Sequence, residues 1–477
     1  MIYTKNTGDL KFLNKKMLVK KIPLFYYYLF IFLFYLILLF FQENMINIKY
    51  LTVFTVLITL FFFRKIIPAI IFLVSIFQDL YFPNTGFSIS SGTIIYRLSF
   101  FSTYTVIIFF TIYIYFSFKG YNSQPSENFE ITNFVISILT ISLLATLRGL
   151  MIKVIDSRLL AYNYLFWLFF WMFTVYFIFR FTRVIETIEI NIRLILFVIL
   201  IHGVIRLSYE IPTFTQFLKF HSFFSDSILT KDYLLPFMPL FFFSLPFIFL
   251  KDLITKFIYF IISVICFYCL IYSYSIPALF SSIVLYNCLI LFFLFKSQLK
   301  KVGIMIIIMF TFVLSLKIFL NSDYKNYFNS QVTTKKEYRA QKTNNENMKI
   351  TFDIKKNTDS CRFLKYWREY PIFGLGLASE QNFNSSLFNT IAQTGIINIV
   401  VILLLLIWLL KKTNKMYYFY RYRDNFIAQF LCGYLLFLIA FTVIFIFEDA
   451  LSFDVMISSL AIFTAFILRI ITISRNI

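Results

Sequence analysis

Histidine is nearly absent from this chain: His202 and His221 are the two in 477 residues, and no HExxH pattern occurs. A Walker loop and a strand-linked Rossmann glycine pattern are missing as well, which removes the common nucleotide-dependent chemistries. Acid is scarce, with 23 Asp and Glu against 44 Lys and Arg for a net charge of +21. The first loop expected to face outward, QENMINIKY, lacks the paired carboxylates that hold a divalent ion against a lipid diphosphate. A metal-independent reaction without a cofactor is therefore expected. Cysteine is limited to five residues, of which Cys266, Cys269, Cys288 and Cys432 fall in apolar runs and Cys361 in a polar loop, so no disulfide framework is available. The Cys266-x-x-Cys269 pair has no His or carboxylate beside it and reads as core. Charged residues make up only 14% of the chain, and with no basic soluble domain nucleic acid is excluded as a partner.

What fills the chain instead is apolar and aromatic: 60% hydrophobic residues and 22% Phe, Trp and Tyr. That balance defines an all-α polytopic membrane protein embedded in a lipid bilayer. Runs able to cross about 30 Å of hydrocarbon fall near 22–41, 46–63, 66–82, 98–118, 131–147, 159–179, 190–206, 233–250, 257–274, 276–295, 302–320, 386–410, 425–446 and 453–473, predicting about fourteen transmembrane helices. The expected organisation is an N-terminal bundle over 1–320, a large extracytoplasmic loop over 321–385 and a C-terminal helical part over 386–477. The lysine-rich tail ahead of Ile22–Phe41 precedes a run too long for a signal-peptide core, which reads as a retained first span.

Lys and Arg are retained on the cytoplasmic side, so basic loops orient the bundle. With the tail inside, the clusters at Arg64-Lys65, Lys119, Arg180 to Arg183, Lys251 to Lys256, Lys296 to Lys301 and Lys411 to Arg423 share that side, and both termini are predicted cytoplasmic. Two outward loops break the rule by being basic, Arg148 to Arg158 and the long segment Asn321 to Ser385. The excess of cations also suits anionic lipid headgroups and lipid diphosphates.

Late in the long loop stands REYPIFGLGLASEQNFNSSLFNTIAQTG, where charge, glycine and asparagine gather before the chain turns apolar again. Pro371 is expected to end a short surface helix, Gly374 and Gly376 to permit tight turns, and Asn384 or Ser385 to cap the next span. Around it the outward face offers Arg148, Arg158, Arg362, Arg368, Glu380 and Asn382, and planar guanidinium groups match phosphate oxygens in bidentate geometry. His221, with Asp226 nearby in sequence, lies in an outward polar loop and is a candidate for proton transfer. His202 lies within a span and reads as a helix-packing hydrogen bond.

The order of these features resembles the O-antigen polymerase and ligase family of bacterial surface polysaccharide assembly. The matching pattern is Arg362, Trp367, Pro371, Gly374 and Gly376, then Asn384 where the ligases carry a histidine, Ser385, Gly395 after nine intervening residues, and Asn398 in place of a second glycine. In YSYSIPALFSSIVL, Ser275 and Ala278 fit the family's span opening while Ile276 replaces its arginine. The resemblance implies a multi-pass protein of the bacterial cytoplasmic (inner) membrane. Its implied activity joins undecaprenyl-diphosphate-linked glycan donor and acceptor on the outer side, with a chain-length regulator protein as a further partner.

On that implication Arg362, Asn384, His221 and Asp226 are catalytic candidates. Arg148, Arg158, Arg368, Trp367, Gly374, Gly376, Glu380 and Asn382 are substrate-binding candidates, and the general base stays open among His221, Asp226 and Glu380. The missing histidine sets polymerase ahead of ligase. A lipid-linked oligosaccharide flippase fits the span count and basicity equally well.

Overall fold

The computed structural model describes residues 23–40, 64–81, 131–151, 174–176, 178–179, 182, 184–210, 235–272, 276–295, 299–319, 368, 370–375, 386–447 and 454–475. Most of these residues are helical and no strand occurs among them, because in hydrocarbon a backbone must satisfy its own hydrogen bonds and an isolated segment can do so only as a helix. In chain order they form α1 (Leu24–Phe40), a 3-10 turn (Arg64–Ile66) leading into α2 (Ile67–Tyr81), α3 (Thr132–Met151), α4 (Ile185–Glu210) and α5 (Phe237–Ser244), continued as a 3-10 segment (Leu245–Phe249). After these come α6 (Leu253–Tyr272), α7 (Ile276–Phe295), α8 (Leu299–Phe319), α9 (Ser386–Tyr420), α10 (Asn425–Phe447) and α11 (Asp454–Arg475).

Six of these helices are long and apolar enough to span a membrane: those over Ile185–Leu207, Leu253–Ile271, Ala278–Phe295, Ser386–Tyr420, Asn425–Phe447 and Met456–Ser474. Shorter apolar helices lie at Leu24–Ile37, Ile67–Ile76, Asn133–Gly149, Phe237–Phe249 and Lys301–Phe310. The outer faces carry Phe25, Phe257, Phe280, Ile307 and Phe310, each more than three-fifths exposed, which suits lipid and not water. The chain is thus a helical membrane protein, with six candidate spans among the described residues against the fourteen expected for the whole chain. Of the remaining expected spans, 46–63 and 98–118 lie outside the described residues, as does most of 159–179.

Two expected spans also differ in kind. The run over 233–250 becomes α5 plus a 3-10 segment, because Pro246 has no N–H to give the carbonyl of Phe242 and the α ladder stops there. The run that opens at Ser386 is interrupted at Gly395.

One core runs through the bundle from Tyr27 to Ile471, so helices from both sides of the long loop share it. Its centre is α5, every residue of which is buried. Phe243 stacks on Phe463 of α11 at 4.3 Å and meets Phe430 of α10 edge-on, while Phe247 tilts against Phe426 and Tyr259. Gly433 makes this closeness possible: a Cβ there would sit 2.5 Å from the Phe243 carbonyl oxygen. Polar pairs join helices inside the core, as expected where lipid supplies no drive to associate. Tyr35 and His202 meet at 2.9 Å between oxygen and Nδ1, Ser75 and Ser458 at 2.5 Å, and Tyr434 and Thr464 at 2.8 Å. His202 therefore has the packing role its position suggested, and Cys266 and Cys269 are fully buried core residues.

The ends of the bundle differ in charge. At one end the α4 residue Asn191 donates to the Lys65 carbonyl, Arg193 pairs with Glu189 at 2.5 Å and lies over the Phe426 ring, and Lys301 sits beside Phe249 and Phe293. Lys411 to Arg423 close α9 at that same end, so described members of the basic clusters, at Arg64-Lys65, Lys301 and Lys411 to Arg423, lie together there, while Lys119, Arg180 and Arg183 lie outside the described residues.

Candidate functional site

At the opposite end lie the two glycines with positive φ among the described residues, Gly374 and Gly395. α3 runs antiparallel to α9, with Phe134 near its start against Trp408 at 5.8 Å and Arg148 in its last turn lying 5.1 Å over the Tyr370 ring. Tyr370 introduces the turn Pro371–Leu375, and this turn is docked onto α9 where that helix breaks.

The break is an exchange of partners. In an uninterrupted helix the Ile396 N–H would donate to the Ala392 carbonyl, four residues back. Here Ile396 N–H donates to the Pro371 carbonyl at 3.1 Å, and Leu375 N–H donates to the Ala392 carbonyl at 2.8 Å. Two backbone segments, each offering a donor and an acceptor four residues apart, have traded bonds, so the opened rung leaves no polar group bare.

Two glycines permit it. Gly395 has φ +80 and ψ 175, a region essentially reserved for glycine, and a Cβ there would lie 1.8 Å from the Ile372 carbonyl oxygen. Gly374 has φ +65, and its Cβ would lie 2.6 Å from the backbone of Gln393. The expectation of a glycine turn after Pro371 thus holds at Gly374, while Gly376 lies outside the described residues.

Across the break α9 carries a buried polar stripe at i, i+4 spacing, Ser386, Thr390 and Thr394 before Gly395 and Asn398 after it. Thr390 and Thr394 each donate to the carbonyl four residues back, at 2.7 and 2.8 Å, and Asn398 Nδ2 donates to Thr394 Oγ1 at 2.9 Å. Because the Thr394 proton is committed, its oxygen can only accept, and this fixes the orientation of the amide. Asn398 Oδ1 is left without a hydrogen-bond partner, although the residue is 2% exposed. On α3, Ser142, Ala145 and Thr146 form a buried stripe of small residues, and Ser142 Oγ also lacks a partner. Counting along the antiparallel pair from Phe134 and Trp408 brings Ser142 to about the level of residue 400, close to Asn398. An acceptor and a hydroxyl are thus held unspent at similar height in a helix pair, an arrangement able to take a water or a hydroxyl-bearing group.

Of the residues expected to form the site, Arg148, Arg368 and Gly374 are described. Arg148 is part-exposed, Arg368 is exposed and stands two residues before Tyr370, and Gly374 is buried in the docked turn, so these three gather at one end. Arg158, His221, Asp226, Arg362, Trp367, Gly376, Glu380, Asn382 and Asn384 lie outside the described residues. Sequence reasoning missed Tyr370 as the seat for Arg148, and it missed the Thr390–Thr394–Asn398 stripe, whose four-residue spacing was visible. Among the described residues no three His, Cys, Asp or Glu side chains are grouped to hold a metal. Comparison with protein-family models, with curated proteins and with solved structures finds no match to this chain.

Proposed function

We propose that this protein is a metal-independent glycosyltransferase of the bacterial cytoplasmic membrane. It would join undecaprenyl-diphosphate-linked oligosaccharide repeat units of an O-antigen, capsule or exopolysaccharide on the outer side. The observation that carries the reading is the docked turn, which ties the end of the long polar loop, with Arg368, to a helix pair that also presents Arg148. Two arginines from distant parts of the chain suit a diphosphate whose negative charge grows as the lipid leaves. The buried amide and hydroxyls of Asn398, Thr394 and Ser142 suit a substrate rich in hydroxyl groups. Arg362 and Asn384 would act beside them, with His221, Asp226 or Glu380 taking the acceptor proton. A separate chain-length regulator would set the polymer size, and both termini would face the cytoplasm.

The broken α9 also favours a second reading, a lipid-linked oligosaccharide flippase, because transporters bind substrates at discontinuous helices near the bilayer midplane. From Gly395 to Lys411, at the start of the basic end, the helix rises about 24 Å. That distance sets the break near the far surface of a hydrocarbon layer about 30 Å thick, which favours the transferase.

The test is the glycan profile of a deletion strain complemented with wild type, Arg148→Ala and Arg362→Ala. Single repeat units in the deletion strain, with long chains restored by wild type alone, support the polymerase. Long polymer held on undecaprenyl diphosphate would make the protein a ligase, and unflipped inner-leaflet intermediates would make it a flippase.

A further inference from the structure

The four backbone groups of the exchange have a second way to pair. As seated, Ile396 N–H donates to the Pro371 carbonyl at 3.1 Å and Leu375 N–H to the Ala392 carbonyl at 2.8 Å. Each donor also stands four residues after a carbonyl of its own segment, Ile396 after Ala392 and Leu375 after Pro371, which is the spacing of a helical rung. Swapping partners gives an uninterrupted α9 and a self-contained turn, with two bonds made for two broken. Hydrogen bonding therefore does not choose between a seated and a lifted turn, and weaker forces do.

Two of those forces hold the turn down. Leu375 is buried where it meets α9, and lifting would return it to solvent. Arg148 of α3 lies 5.1 Å over the ring of Tyr370, so cation and ring come from different elements and part when the turn lifts. A guanidinium held over a ring face is oriented without spending its N–H donors on the ring. Arg368 is exposed and stands two residues before Tyr370, its Cα within about 7 Å of the tyrosine's. An anion touching both arginines can do so only while the turn is seated, and a ligand that prefers one of two states draws the population toward it.

We infer that the Pro371–Leu375 turn is a two-state latch on α9 that a lipid diphosphate closes, by bridging Arg148 of α3 to Arg368 beside the turn. The inference rests on the lipid-diphosphate donor proposed above and adds the regulation of that site. Donor loading seats the turn and keeps α9 broken at Gly395. Departure of the lipid diphosphate removes the bridge, and the turn is free to lift while α9 closes its own rung.

The experiment gives farnesyl diphosphate or farnesol to the full chain in nanodiscs. Radiolabel retained above that of empty nanodiscs reads binding, and amide hydrogen exchange reads the turn. Wild type should retain farnesyl diphosphate and gain about tenfold protection in peptides covering 370–375, with no gain from farnesol. Arg148→Gln and Arg368→Gln should each lose most of that gain, because an anion held from one side bridges nothing. Gly395→Ala keeps both arginines and favours the lifted turn, so by reciprocity it should weaken retention, and farnesyl diphosphate should restore part of the lost protection. Gly374→Ala, strained at φ +65, should behave alike, and unchanged exchange in α5 and α10 reports that either variant is folded. Retention without added protection would overturn the latch and leave the diphosphate donor standing. Absence of retention would overturn the donor reading and the latch with it. A gain that survives either arginine change would overturn the bridge.

Discussion

Replacing Gly395 with alanine should lift the Pro371–Leu375 turn off α9 while leaving the bundle folded. At φ +80 and ψ 175 any side chain is strained by about 1–3 kcal/mol, and the added Cβ would stand 1.8 Å from the Ile372 carbonyl oxygen. That contact is backbone on both sides, so no rotamer change relieves it and the turn has to move away. Undocking breaks the bonds from Ile396 to Pro371 and from Leu375 to Ala392, although α9 can then restore its own rung from Ile396 to Ala392. The net shift is therefore dominated by the backbone strain, and at about 1.4 kcal/mol per tenfold the docked population falls by roughly tenfold to a hundredfold. Amide hydrogen exchange of the protein in nanodiscs reads this directly. Peptides covering 370–376 should lose protection by that factor, while those covering α5 and α10 stay unchanged. Gly303→Ala is the internal control, because a Cβ there meets nothing within 4 Å and α8 should gain about 0.5–1 kcal/mol. Unchanged protection of the turn in Gly395→Ala would refute the account of the exchange.

Other perturbations test separate parts of the same description. Arg148→Ala removes the cation from above Tyr370, a contact worth about 0.5–1 kcal/mol at an exposed site, and should raise exchange in 370–376 about threefold without altering α9 beyond the break. Tyr35→Phe strips the buried His202 Nδ1 of its partner and should cost about 1–3 kcal/mol in detergent unfolding, part of which His202→Leu should recover in the double variant. Gly433→Ala drives a Cβ to 2.5 Å from the Phe243 carbonyl and should cost about 1–3 kcal/mol by the same assay. The Asp252 carboxyl is held below its usual range by the hydroxyl and N–H of Thr255, so its contribution is present above the unfolded carboxylate pKa and is lost as pH falls through the lower folded value. The difference in thermal midpoint between wild type and Asp252→Ala should accordingly be full at pH 7 and shrink once the pH drops below about 4.

Helices were legible wherever a run was uniformly apolar, because hydrocarbon leaves the backbone no alternative. The runs ending at Phe447 and Tyr272 illustrate this. Interruptions were harder to see, since Pro246 and Gly395 stop their ladders inside stretches whose hydropathy never falls. Gly395 had been marked only by its place in a family pattern, and its physical reason comes from Pro371 and Leu375, more than fifteen residues earlier. Long-range pairings of this kind leave no periodic trace, and neither Arg148 over Tyr370 nor Lys301 beside Phe249 follows from local spacing. The core role of His202 was legible because a lone imidazole in a span needs a partner, though the partner's identity as Tyr35 was not.

The exchange between turn and helix also works as a keyed connector. Proline, without an N–H, can offer only its carbonyl at position 371, and the opposite prong at Leu375 offers the only kind of group that the Ala392 carbonyl can use. A slip by one residue would replace Gly374 by a residue whose Cβ has to fit within 2.6 Å of the Gln393 backbone, so the loop seats in a single frame. Tags spliced between Pro371 and Leu375 would therefore spoil the seating of the turn on α9, whereas tags spliced near Asn321 would leave these two bonds untouched.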